Sequence, residues 1–106
     1  SNFLLLKAII GKTYTLLHAW NGKEAVEIYE QSHPDLILMD IKMPEMDGLE
    51  ATRIIRKVSQ EIPIIALTAF AFDDDRVKAL EAGCNDYLTK PLSAPLLKET
   101  IAKYLV

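Results

Sequence analysis

At 106 residues the chain fits one compact domain with a single core. Its net charge of −3, with 50% hydrophobic and 25% charged residues, gives neither a nucleic-acid nor a membrane-surface footprint. The one cysteine, Cys84, excludes an internal disulfide and points to a reducing compartment, the cytoplasm, and no apolar run approaches the roughly 20 residues of a membrane helix.

The predicted elements alternate. Residues 2–11 read as a helix with Phe3, Leu6, Ile9 and Ile10 on one face and Gly11 ending it. The Phe3-Leu4-Leu5-Leu6 run within it is too short for a signal peptide. Tyr14 to Ala19 reads as a strand, Asn21-Gly22 as a turn, and Lys23 to Gln31 as a helix that Pro34 stops. A strand closes on Asp40, and a loop follows through Met43-Pro44-Glu45-Met46-Asp47-Gly48. Leu49 to Val58 is a helix offering Leu49, Ile54, Ile55 and Val58 to the core. Ile62 to Thr68 is a strand, Asp73 to Ala82 a helix ended by Gly83, and Asp86 to Lys90 a strand. Ser93 caps a last helix over 93–105, with Leu97, Ile101 and Leu105 at four-residue steps. Strands separated by helices of this length imply right-handed crossovers, a parallel sheet and helices on both of its faces.

Three of these strands end on Asp40, Thr68 and Lys90. Each run is short, apolar and bounded by turn formers, as buried parallel strands are. Parallel strands bring the three groups to the carboxyl edge of the sheet, where open α/β sheets bind ligands. A carboxylate, a hydroxyl and an ammonium gathered there suit phosphoryl transfer: the carboxylate attacks and the other two hold the oxygens. Singly, each has a bland reading. Asp40 is also a strand-end turn former, Thr68 and Tyr87 are also good strand residues, and Lys90 is also a surface charge. Convergence of the three favours function. The string from Asp40 to Gly48 sharpens it: Pro44 stiffens the loop, Asp47 can cap the next helix, and Gly48 lets the chain turn close to the acid. Ala69 is small and leaves room for a phosphoryl group. His18 and His33 lack metal-ligand spacing, Cys84 reads as a small buried residue, Trp20 reads as core, and Asp73-Asp74-Asp75 complements the positive end of its helix.

Asp40 to Gly48, Ala66-Leu67-Thr68-Ala69 and the run from Ala82 to Pro91 resemble the response-regulator receiver domains of two-component signalling, across essentially all of residues 1–106. The resemblance implies a flavodoxin-like, doubly wound, three-layer α/β/α domain of strand order 2-1-3-4-5, with four strands visible of five. The first strand and its acidic pair would lie upstream of Ser1. The resemblance further implies that Asp40 accepts a phosphoryl group from a phosphohistidine, that Thr68, Ala69 and Lys90 bind it, and that the Tyr87 rotamer follows Thr68. It implies a cis bond before Pro91, an isomer accessible at low cost only before proline. Mg²⁺ would be held by Asp40, the main chain of Lys42 and the upstream acids. Lys42 and Phe70, two residues beyond Asp40 and Thr68, would tune dephosphorylation: neither orients a water, and Phe70 shields the phosphoryl group.

The expected partner is a histidine kinase or phosphotransfer domain, with no direct nucleic-acid or membrane contact. A homodimer through the 73–83 helix, the Tyr87 strand and the 93–105 helix is a further expectation. The domain would be a switch, not an enzyme for an external substrate, although its own residues would catalyse phosphoryl gain and loss; its parent chain would be a free regulator, a transcription factor or a hybrid histidine kinase. Three rivals stay open. A non-phosphorylated interaction module on the same fold would fail to take label from a phosphoryl donor. An aspartyl-phosphate phosphatase usually wants a second acid where Lys42 stands. A flavodoxin would be yellow.

Overall fold

The computed structural model describes residues 2–43, 45–69 and 73–105. Helices α1 (Asn2–Ile10), α2 (Gly22–Ser32), α3 (Gly48–Val58), α4 (Asp73–Ala82) and α5 (Ala94–Tyr104) surround strands β1 (Ile37–Asp40), β2 (Ile64–Thr68) and β3 (Asp86–Thr89). The strands run parallel in the order β1-β2-β3. Alternation along β2 separates two cores. Ile64 and Ala66 join Tyr29, Ala51, Ile55 and Ala79 of α2, α3 and α4 on one face. Ile65 and Leu67 join Ile10, Leu97 and Ile101 of α1 and α5 on the other. All five β2 residues are buried, as befits the middle strand of a sheet covered on both faces.

Local signals set the helix starts. Asn21 caps α2, its side chain accepting from the Glu24 amide; Asp47 caps α3 at Glu50, and Ser93 caps α5 at Leu96. Asn21-Gly22 is therefore a cap and first helical residue, where the sequence suggested a turn. Three other expectations are corrected. Tyr14 to Ala19 forms no strand. Among the described residues it has no ladder partner, because a cavity of about 780 Å³ lies between it and β1. Leu16, Leu36 and Leu38 line that cavity, and β1 faces no strand on that side among the described residues. Trp20, expected in the core, is 68% exposed, and Val58 at the end of α3 is 69% exposed because its helix turns that position away from the sheet.

The edge of the sheet where β2 and β3 begin is tied together by polar groups. The Arg56 guanidinium donates from Nε to the Gly83 carbonyl and from a terminal nitrogen to Asn85 Oδ1, both at 2.8 Å. Asn85 Oδ1 also accepts from the Ile64 amide at 2.9 Å, while the Asn85 amide donates to the Ile64 carbonyl. The Tyr104 hydroxyl donates to Asp86 Oδ2 at 3.2 Å, fastening the end of α5 to β3. Beside Arg56, Cys84 is buried, and burial pushes its thiol above the ordinary value, against smaller opposing effects of the Thr52 hydroxyl and the Arg56 charge.

Candidate functional site

The opposite edge carries the chemistry. Asp40 closes β1 and pairs in register with Leu67; Thr68 closes β2 and pairs with Thr89. The chain after β3 continues the ladder by one bond, the Lys90 amide donating to the Thr68 carbonyl at 2.8 Å. Parallel pairing thus gathers Asp40, Thr68 and Lys90 at one edge, the arrangement anticipated from three strand-terminal polar residues. Lys90 Nζ lies 2.7 Å from Asp40 Oδ2, with 26% of the Lys90 side chain and 27% of the Asp40 side chain exposed. This charge-assisted contact leaves both groups reachable from solvent. Thr68 is 3% exposed, while its neighbour Ala69 is exposed. The Lys90–Pro91 peptide bond is cis.

The loop after Asp40 wraps its carboxylate. The Lys42 amide donates to Asp40 Oδ1 at 3.1 Å, and the Gly48 amide donates to the Ile41 carbonyl at 2.9 Å. A Cβ at Gly48 would collide with the Asp40 carbonyl oxygen, so only glycine lets α3 begin this close to the acid. Glu45 takes a left-handed backbone at φ 64°, an uncommon conformation for a residue with a side chain. The Met46 carbonyl accepts from the Gly22 amide at 2.8 Å, a contact with α2 that nothing in the turn-like Asn21-Gly22 pair announced. Tyr87 on β3 is partly buried against the α2-α3-α4 core, with the Arg76 guanidinium 5.8 Å from its ring centre. Pro44 and Phe70, singled out from the sequence, lie outside the described residues.

Asp40 supplies the hard oxygen donors that Mg²⁺ prefers. Among the described residues no group of three or more His, Cys, Asp or Glu side chains gathers to complete such a site. No helix among them is long and apolar enough to cross a membrane.

Comparison with known proteins gives a consistent set. The family model "Response regulator receiver domain" matches residues 2–102. The polar-differentiation response regulator DivK of Brucella ovis is 43% identical over 94 residues, spanning 87% of this chain and 76% of that protein. Among solved structures, the receiver domain of a sensor histidine kinase from Pseudomonas aeruginosa PAO1, described with a magnesium ion coordinated in its active-site cleft, superposes with a TM-score of 0.91 at 37% identity. The match covers 98% of this chain and 88% of that one. The signal receiver domain of a signal transduction histidine kinase from Syntrophus aciditrophicus superposes with a TM-score of 0.87 at 36% identity, covering 97% and 80%.

Proposed function

Because the chain belongs to the response regulator receiver domain family, whose members act in phosphorylation-controlled signalling, we propose that Asp40 is its phosphoryl acceptor. The observation that carries this reading is the convergence of Lys90 Nζ and the Lys42 amide on the two oxygens of one partly exposed carboxylate. An Asp40 oxygen attacks the phosphorus of a partner's phosphohistidine; the P–O bond forms as the P–N bond breaks, and the imidazole nitrogen keeps the electron pair. Lys90 then pairs with the phosphoryl charge, and Thr68 donates its hydroxyl to a phosphoryl oxygen beside the small Ala69. The domain's own residues thus promote gain of the group; loss follows when a water oxygen attacks the phosphorus in line, the bond to Asp40 breaks with its electrons returning to the carboxylate, and inorganic phosphate leaves. Asp40 and the main chain of Lys42, together with the acidic pair that the resemblance implies, would hold Mg²⁺, which when bound would supply positive charge to the transferring group. No step above is routed through it.

Phosphorylation adds nearly two negative charges at this edge. The Thr68 hydroxyl turns to the new oxygens, Tyr87 enters the space it leaves, and the surface of α4, β3 and α5 changes. A kinase, a phosphotransfer domain or a second copy reads the altered surface as a population shift. Val77, Leu80 and Leu96, exposed on α4 and α5, are suited to that contact. The reading puts the domain in the cytoplasm, where the lone Cys84 stays reduced. We propose also that an additional parallel strand pairs with β1 in the cavity beside it, supported by the apolar lining and by a β1 edge that pairs with no strand among the described residues.

Incubation of the full-length protein with Mg²⁺ and acetyl phosphate, followed by intact mass measurement, tests the assignment. Wild type gains one phosphoryl group and Asp40→Asn gains none. Label persisting in Asp40→Asn overturns it; a wild type that never labels favours the interaction module.

A further inference from the structure

We propose that the Asn21–Gly22 corner of α2 is a positioning element for phosphoryl acceptance: it holds the loop that presents the Lys42 amide to Asp40. The inference rests on Asp40 as acceptor and extends it to residues remote in sequence. The loop is fixed at two places. At its far end the Gly48 amide binds the Ile41 carbonyl, which locks the loop's exit to its entrance. Between these, the only cross-element backbone bond among the described residues is from the Gly22 amide to the Met46 carbonyl at 2.8 Å.

Three observations show that this contact is built closely. Gly22 is buried, and a Cβ there would collide with the Met46 carbonyl oxygen and lie 2.9 Å from the Asp47 carbonyl oxygen. Those are backbone atoms, so relief requires moving the loop itself. Asn21 serves two masters: its Oδ1 accepts from the Glu24 amide as the α2 cap, and its Nδ2 faces Glu45 Oε2 at 3.5 Å. Glu45 is the residue held left-handed at φ 64°. A strained conformation persists where its surroundings hold it; here Asn21 faces the Glu45 carboxylate and Gly22 binds the next carbonyl, that of Met46. The Lys42 amide hydrogen-bonds Asp40 Oδ1 from the same loop, so a shift that satisfies a larger residue at position 22 turns the carboxylate. Misplacement by about 1 Å in such a constellation slows a reaction by up to about a hundredfold.

The test measures the acetyl phosphate labelling rate with Mg²⁺, alongside thermal unfolding. Gly22→Ala is expected to label at least about tenfold more slowly, while Ile55→Ala, destabilised in the core far from the loop, labels at the wild-type rate when still folded. Asn21→Asp provides the readout that a merely structural role would not move. Aspartate keeps the helix cap but sets a carboxylate against Glu45. Its labelling is expected to slow, and Glu45→Gln in the same chain to restore it. Wild-type rates in both Gly22→Ala and Asn21→Asp, or slow labelling of Asn21→Asp that Glu45→Gln leaves untouched, overturn the inference. Label that survives Asp40→Asn overturns the acceptor assignment instead, so the two failures are distinguishable.

Discussion

Lys90 and Asp40 hold one another at 2.7 Å, yet about a quarter of each side chain meets solvent. Exposed pairs contribute little to stability, commonly about 1 kcal/mol or less, so the pair is better understood as charge kept ready for a third group. On the proposed reading, how long a phosphoryl group stays on Asp40 depends on water in line with the phosphorus. Phe70 offers no hydrogen bond to orient such a water, and Lys42 carries no acceptor. Phe70→Ala is expected to speed decay of phosphorylated protein after the donor is removed, with Lys42→Glu acting in the same direction; an unchanged or longer half-life with Phe70→Ala removes the shielding role. Cys84 gives a second residue-scale expectation. Its thiol ionises higher in the folded chain than its ordinary value of 9.0, chiefly through burial. The folded state therefore holds the proton more firmly. That contribution is complete below the ordinary thiol value and is lost as pH rises through the folded one. Melting temperatures of wild type should fall more steeply than those of Cys84→Ala in that alkaline range.

Helix α3 shows how elements are set by a few positions. Asp47 caps it, Ala51 and Ile55 bury against the sheet, and Arg56 leaves its last turn to bind the Gly83 carbonyl. Asp47→Ala is expected to cost about 1 kcal/mol, and Ile55→Ala, at a site 1% exposed, about 2–5 kcal/mol; urea unfolding measures both. The helices and three parallel strands were legible in the sequence because their signals are local: apolar steps of three and four residues, apolar runs, caps and a glycine past a helix end. The edge holding Asp40, Thr68 and Lys90 was legible for the same reason, since strand ends announce themselves. Tyr14 to Ala19 was not, because a strand exists only with a neighbour, and its alternation of Tyr14, Leu16 and His18 says nothing about whether one is there. The Gly22–Met46 bond was equally hidden: an Asn-Gly pair signals a turn or a cap and not which loop it meets.

Over the whole molecule, the two ends of the sheet differ. One is fastened by the Arg56 fork, by the reciprocal Ile64–Asn85 bonds and by Tyr104 on Asp86. The other carries a partly exposed ion pair and a left-handed glutamate. Native-state hydrogen exchange should read this difference directly. The amides of Ile64 and Asn85 are expected to exchange only through global opening, and that of Lys42 through small local fluctuations that phosphorylation suppresses. Equal protection at both ends would contradict it. A sheet so fastened behaves as a beam clamped at one end. On the proposed reading, charge added at Asp40 meets strands whose starting ends are already fixed, and the response is expected in the side chains and helix surfaces at the other end.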